Sequence, residues 1–448
     1  MRRRTFLIAA SVSIFLGALI PPAARAVPSY ARQTGLPCSG CHYTPPELNP
    51  AGRRFKLLGY TDRKEGLPEV KGAPTPRQAG LDILGSLPIS AWFETSFTST
   101  RKPQQGTQNG NLEFPQDVSL FLAGSWASHI GSFLQITYST TDDHFTMDNT
   151  DIRIANMTKF GEKEFAYGLT LNNNPTVEDL WNTTPAWGFP FIASDVAPSP
   201  TAAPLIQGGL AQDVAGIGGY AMWNDHLYLA TTLYRTAHVG GPQPNPGTDF
   251  GINIRGVAPY WRVAWQQSGE DTQFEIGTYG LYLESTPNGV IGLEDKYTDW
   301  AFDLQLDRTL FRTDVLSLRI NYIREHSDLE ATFAAGGAQQ TSHHLGAAMA
   351  NAEYHFGNRF SGIVGWFNTT GTTDPLLFTQ SPISGSATGN PASSGLIGSL
   401  SWWPIQNLQV ALQYIGYTRF NGGTSNYDAA GRSAGDNNTT YVLGRFVF

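Results

Sequence analysis

From about residue 87 to its end, the chain is written in short runs where apolar and polar side chains take turns. Between Asp299 and Asp307, Trp300, Phe302, Leu304 and Leu306 hold the even positions, and nearly every odd one is polar. Leu316, Leu318, Ile320 and Tyr322 alternate with Val315, Ser317, Arg319 and Asn321. Trp261, Val263 and Trp265 alternate with Arg262, Ala264 and Gln266, and the stretch from Leu408 to Tyr414 repeats the scheme. Successive side chains of a strand point to opposite faces, so each run predicts a strand with one apolar, aromatic-rich face and one polar face. After the N-terminus no stretch offers the roughly 18 consecutive apolar residues of a membrane-spanning helix. A sheet bearing such a face can lie in hydrocarbon only if it closes on itself, since an open edge would leave backbone groups unpaired in lipid. The pattern predicts a mainly β protein: a transmembrane antiparallel β-barrel.

About sixteen such runs begin near residues 88, 117, 130, 149, 162, 213, 225, 250, 272, 297, 314, 341, 358, 393, 405 and 438, an even number, as bacterial barrels require. The connections around 128–130, 158–162, 223–226, 267–271, 309–314, 355–359 and 403–407 are short. Those around 99–116, 173–212, 236–249, 285–297, 326–341, 369–393 and 420–437 are long, with 140–149 intermediate. Short periplasmic turns and long outer loops are the asymmetry expected of an outer-membrane barrel. The chain closes on Tyr441-Val442-Leu443-Gly444-Arg445-Phe446-Val447-Phe448, which resembles the terminal assembly signal of such barrels.

The N-terminus differs. Arg2-Arg3-Arg4, an apolar run from Phe6 to Ile20 and Ala24-Arg25-Ala26 form a basic region, a segment too short to span a bilayer and a cleavage site. Residues 1–26 therefore read as an export signal and Val27 as the mature start. Arg3-Arg4-Thr5-Phe6-Leu7 also resembles a twin-arginine signal, but that route carries folded cargo and a barrel must cross the inner membrane unfolded. Residues 27–76 are rich in proline and turn signals, with one helix expected from about Asn49 to Leu58. Residues 77–87, with Gly80, form a linker, and 88–448 the barrel. The full chain carries a net charge of −8. Residues 27–76 hold seven basic and four acidic side chains, whereas the remainder is strongly acidic. A small basic module joined to a large acidic one predicts docking of the first against the second, and gives no reason to expect nucleic acid as a partner.

The chemistry sits in that module, at Cys38-Ser39-Gly40-Cys41-His42. Cys-x-x-Cys-His is the attachment pattern of a c-type haem: two thiols join the porphyrin edge and the next imidazole lies against the iron. No βαβ pattern surrounds it, as a redox dithiol would require. With 2 cysteines in the chain and His129 as the nearest other histidine, a zinc site is not favoured. Cys38 and Cys41 are thus the expected anchors of one covalent haem c, and His42 the proximal iron ligand. Residues 27–76 hold no methionine and no second histidine, so a Met or His sixth ligand would come from the wall. By alternation Met157 shares a face with Asp151 and Arg153, and Met349 with His343, Asn351 and Glu353, which makes both candidates.

Pro28-Ser29-Tyr30-Ala31-Arg32-Gln33-Thr34-Gly35, the haem motif, Pro46-Glu47-Leu48 and Gly52-Arg53-Arg54-Phe55-Lys56-Leu57-Leu58-Gly59-Tyr60 together resemble the fused monohaem cytochrome–porins of the outer membrane. The best-known members are the iron oxidases of iron-oxidising bacteria. Pro45 stands where an aromatic often precedes the Pro-x-Leu step in that family. The likeness is dense over 28–60, and beyond it extends to the barrel and a loop containing Glu178, Asp179, Trp181 and Trp187. It implies electron transfer from an extracellular donor, Fe(II), through the haem to a periplasmic carrier. One haem cannot relay charge across an apolar band ~25 Å tall if it hangs below the membrane. The module is therefore expected inside the bore as a plug, with Arg32, Arg53, Arg54 and Lys56 pairing with haem propionates or with wall carboxylates such as Asp299, Asp303 and Asp307. Asp142, Asp143, His144, Asp148, Glu178 and Asp179 fall in expected outer loops, where carboxylate and imidazole would meet a ferrous cation. The alternatives are a diffusion porin with an accessory haem segment, or a redox conduit for another donor. Gly431-Arg432-Ser433-Ala434-Gly435 spells a nucleophile elbow but lies in a Gly/Asn-rich loop without the strand–turn–helix setting.

Overall fold

The computed structural model describes residues 27–61, 88–104, 110–141, 143–237, 252–287, 292–311 and 313–448. The export signal and the linker expected at 77–87 lie outside them, as does the module beyond Thr61. The wall begins with β1 (Ile89–Thr100), β2 (Asn111–Glu113), β3 (Asp117–Ala127), β4 (Ile130–Ser139), β5 (His144–Phe160), β6 (Lys163–Asn172), β7 (Val214–Trp223) and β8 (Leu227–Thr236). It continues with β9 (Ala258–Ser268), β10 (Thr272–Ser285), β11 (Asp295–Phe311), β12 (Asp314–Leu329), β13 (Ser342–Phe356), β14 (Phe360–Gly371), β15 (Ser393–Ile405), β16 (Leu408–Arg419) and β17 (Thr439–Val447). β1 pairs antiparallel with both β2 and β3, each strand from β3 on pairs antiparallel with its successor, and β17 returns to β1 in a register running from Trp92 opposite Val447 to Thr100 opposite Thr439. The barrel is closed. Its seventeen strands make sixteen passes, because β2 and β3 occupy successive halves of one line along β1, interrupted at Phe114–Gln116.

The alternation resolves as the sequence predicts, with apolar side chains outward and polar ones inward. Trp300, Leu316, Ile320, Val364, Trp366 and Leu400 stand on the outer face, whereas Arg153, Arg262, Glu275, Asp303, Asp307 and Arg319 are buried within. Phe160, Trp223, Phe311, Phe356, Phe360, Trp402 and Phe448 are exposed around the short-turn end. Such a face would be unfavourable against water, and an aromatic girdle of this kind marks a barrel embedded in lipid. No helix among the described residues is long and apolar enough to cross a membrane.

Strand starts fall close to expectation except at β9, which begins at Ala258 rather than near 250. The connection expected around 140–149 is a tight turn, since β5 already starts at His144. β12 runs on to Leu329, beyond its expected end, into a one-turn helix at Glu330–Ala334. The larger correction concerns the connection between β6 and β7. Residues 173–213 do not stand outside as a loop but fold into the bore. Thr183 donates to Asp303 of β11 (2.5 Å), the backbone amide of Ile206 to Asp299 (2.8 Å), and Gln413 of β16 to the carbonyl of Ile192 (3.0 Å). These tethers reach two well-separated parts of the wall, β11 and β16. A polar inner wall supplies partners for a crossing segment's backbone, which alternation within the loop itself could not announce.

Candidate functional site

The N-terminal module enters the bore from the short-turn end. Helix α1 (Pro28–Thr34) stops at Gly35, whose φ of 67° needs glycine. A single 3-10 turn at Cys38–Gly40 follows, in which the amides of Cys41 and His42 both donate to the carbonyl of Cys38 (3.1 and 2.9 Å). The chain then doubles back: the Asn49 amide donates to the Cys41 carbonyl, and the Asn49 side chain caps α2 (Pro50–Leu57) by accepting from the Gly52 amide at 3.0 Å. A Cβ at Gly52 would lie 2.1 Å from the Cys41 carbonyl oxygen, so the helix rests directly on the motif. The sequence anticipates α2 within a residue at each end; α1, too short to show a period, it does not.

The module is fastened around the bore. Tyr30 donates to the Ser132 carbonyl of β4 (2.7 Å), Tyr60 to Asp151 of β5 (2.6 Å), and Arg54 to Glu164 of β6 (3.1 Å). Arg53 forms a buried ion pair with Asp307 of β11, and Thr44 meets His355 of β13 at 2.8 Å. Lys56 donates to the Asp179 carbonyl of the inward loop (2.6 Å), while Leu57 packs in one cluster with Leu180, Trp181, Tyr220 and Tyr228. Module, loop and wall share a core.

Between them lies a cavity of about 400 Å³ bordered by Cys38, Cys41 and His42. The module contributes Tyr30, Phe55 and Tyr60, the wall Trp92, Phe121, Phe133 and Trp403, and the loop Trp187 and Phe191. Trp187 meets Phe133 at 5.5 Å between centroids, Phe133 meets Phe121 at 5.7 Å, and Phe121 meets Trp92 at 5.0 Å. The two cysteines form no disulfide with each other, and burial raises the pKa of the Cys41 thiol. The His42 Nδ1 lies 3.2 Å from the Pro46 carbonyl, which fixes the proton there and leaves the Nε2 lone pair available. Burial pushes the imidazole down to about 4, against weaker opposition from the Pro46 and Glu47 backbone, so it is neutral. Two thiols, a neutral oriented imidazole and an aromatic-walled cavity are a donor set that fits a covalently tethered porphyrin.

The other expected residues fall elsewhere. Arg32 donates to the Ile89 carbonyl, and neither it nor Arg53 or Arg54 borders the cavity; all three tie the module to the wall. The cations on its border are Lys56 and Arg445. Met157 points inward at the rim, its sulfur 3.4 Å from Arg54 Nη2, and Met349 packs against the Phe189–Ile363–Ile397 cluster. Neither borders the cavity. Asp303 pairs with Arg262, whereas Asp299 accepts from the Ile206 amide. Glu178 and Asp179 are buried in the bore rather than displayed outside. Burial alone would raise Asp179, but Arg262, Lys56 and the Trp181 and Thr184 amides hold it below the usual carboxylate range. Asp143 and His144 are exposed at the outer turn, and Asp148 accepts from Thr137; Asp142 lies outside the described residues. Phe121 and Phe133 went unnoticed in the sequence, although Phe121 is a visible signal: it breaks the alternation between outward Leu120 and Leu122.

The arrangement defines a closed membrane barrel whose bore holds a docked module and an inward loop. No family model matches the chain, and no curated protein does. Solved structures of similar shape include Salmonella typhi OmpF in complex with daunomycin, at 10% identity and a TM-score of 0.47, covering 80% of this chain and 97% of that one. The outer-membrane channel DcaP of Acinetobacter baumannii gives 9% identity and a TM-score of 0.45 (80% and 96%). The outer-membrane-expressed OmpT of Vibrio cholerae gives 9% and 0.41.

Proposed function

We propose that the protein is an outer-membrane cytochrome–porin that passes electrons from an extracellular donor, Fe(II), to a periplasmic carrier through one covalent haem c. The observation that carries this reading is the position of Cys38, Cys41 and His42 on an aromatic-walled cavity inside the bore, rather than on a domain hanging below it. Haem bound there would supply reversible one-electron chemistry. The chain's own residues would do the rest. Cys38 and Cys41 anchor, His42 presents Nε2, and the Pro46 carbonyl holds the imidazole's tautomer. Tyr30, Phe55, Phe121, Phe133 and Trp187 keep water from the site. The cavity lies in the short-turn half, beside Gln406 and Asn407 of the β15–β16 turn, which suits delivery to a periplasmic partner. Residues 173–213 cross the half above it, leaving a second cavity of about 430 Å³ between the loop and the wall from β12 to β17, so a donor would be met largely across protein. Free diffusion is disfavoured for the same reason, because module and loop occupy successive levels of the bore. Asp143 and His144, at an exposed outer turn, are the remaining candidates to meet a ferrous cation.

The test is a redox titration of the detergent-purified protein followed at the haem bands, with Fe(II) as reductant. Covalent haem reduced by Fe(II) is the expected result. A colourless protein would end the cytochrome reading; a haem that other reductants reduce but excess Fe(II) does not would remove iron alone.

A further inference from the structure

We propose that the amine of Lys56 is the sixth ligand of a haem iron held by Cys38, Cys41 and His42. The inference rests on the cytochrome reading above and adds to it the ligand that sequence alone placed on Met157 or Met349.

A sixth ligand needs a lone pair on nitrogen or sulfur, or an anionic oxygen. Among the described residues bordering the cavity, His42 is the sole histidine and no methionine occurs. That leaves Tyr30, Tyr60, Asp179, Lys56 and, once the export signal is removed, the Val27 α-amine. The Asp179 carboxylate is taken up by the Trp181, Thr183 and Thr184 amides and by Arg262, and Val27 starts α1 rather than the helix that rests on the motif. Both phenols are spent as donors, Tyr30 to the Ser132 carbonyl and Tyr60 to the Asp151 carboxylate. A phenol giving its proton to a buried carboxylate is poorly placed to lose it.

Lys56 has the opposite character. Its side chain is 5% exposed, yet among the described residues its nitrogen meets one backbone carbonyl, that of Asp179, and no carboxylate forms an ion pair with it. The Trp187 ring covers it at 4.4 Å. Burial and the Arg153 charge disfavour the ammonium more than the nearby carboxylates of Asp151, Asp179 and Glu178 favour it. A primary amine coordinating through its lone pair keeps two N–H groups, so the bond to Asp179 can persist while the nitrogen binds metal. The helix supplies the placement. Gly52 and Lys56 are one turn apart on the same face of α2, and at Gly52 that face rests on the Cys41 carbonyl. Lys56 therefore extends from the helix face that covers the haem motif. An amine in place of a thioether would also forgo the rise in potential that methionine ligation brings.

The full-length protein, purified in detergent with its covalent haem quantified as the pyridine complex, provides the test. Lys56→Ala and Lys56→Met are compared with Met157→Leu and Met349→Leu by electron paramagnetic resonance, absorption and potentiometry. Wild type should be low-spin with two nitrogen ligands. Lys56→Ala should turn high-spin and return to low-spin with added imidazole. Lys56→Met should take on nitrogen–sulfur bands and a higher potential, and the two methionine variants should match wild type. Heat-modifiable gel migration checks that each barrel has folded; if Lys56→Ala does not fold, Lys56→Met and the wild-type spectrum decide. A high-spin wild type, or a low-spin nitrogen-ligated spectrum unchanged by Lys56→Met, would overturn the assignment. Wild type devoid of covalent haem would instead sink the cytochrome reading beneath it.

Discussion

Arg53 and Asp307 join the docked module to the wall where neither charge reaches solvent. Breaking such a pair from one side is costly, roughly 3–5 kcal/mol, because the abandoned charge stays buried. Arg53→Ala should loosen the module markedly, and Arg53→Met combined with Asp307→Asn should restore much of the loss, read as the urea concentration at which residues 27–61 become protease-sensitive. Asp374, in the connection after β14, responds to pH instead. Burial alone would raise its carboxyl, but hydrogen bonds from His343 Nε2 and the amides of Gln339, Leu376 and Leu377 outweigh it and hold it below the usual range. A carboxyl depressed in the folded state stabilises above its unfolded pKa of about 3.9, and that contribution fades as pH falls through the lower folded value. Pepsin cleavage of this connection should therefore accelerate steeply below about pH 4. In Asp374→Asn cleavage should be faster at the upper end of that range and respond less to pH. A slope unchanged by the substitution would show that another group controls the loop.

At the scale of elements, legibility followed periodicity. β11 alternates from Asp299 to Asp307 and β12 from Leu316 to Tyr322, and the strand starts lie within two residues of expectation. The period is physical: lipid on one side and a polar bore on the other demand it. α2 was readable from Pro50 and Gly59. The inward course of residues 173–213 was not, because its anchors are single contacts such as Thr183 to Asp303 of β11 and Gln413 of β16 to the Ile192 carbonyl, on strands far away in sequence. The site was legible in part for the same reason. Cys38, Cys41 and His42 are a local motif, whereas the neighbours of Lys56, Asp179 and Trp187, come from a distant loop. The arginines misled because a cation in a basic module suits a propionate and a wall carboxylate equally well, and composition cannot choose between them.

Two segments lie across the bore of the whole molecule, the module and the loop. Removing residues 27–87 alone should raise bilayer conductance only modestly, and removing 182–204 alone likewise. Removing both should open a channel of much larger conductance than either. Full conductance after the first deletion alone would mean that the loop offers no barrier.

The seam between β1 and β17 bears on how such a molecule is made. Once the barrel has closed and the module has docked, the Cys38 thiol is almost wholly covered and faces Gln406 of the β15–β16 turn. On the cytochrome reading proposed above, so covered a thiol would have to receive its porphyrin while the chain is unfolded or partly folded in the periplasm, and insertion would wait for a precursor already bearing its pigment. Cells lacking haem ligation should accumulate unassembled polypeptide or an empty cylinder, and restoring the ligase afterwards should colour only newly made chains.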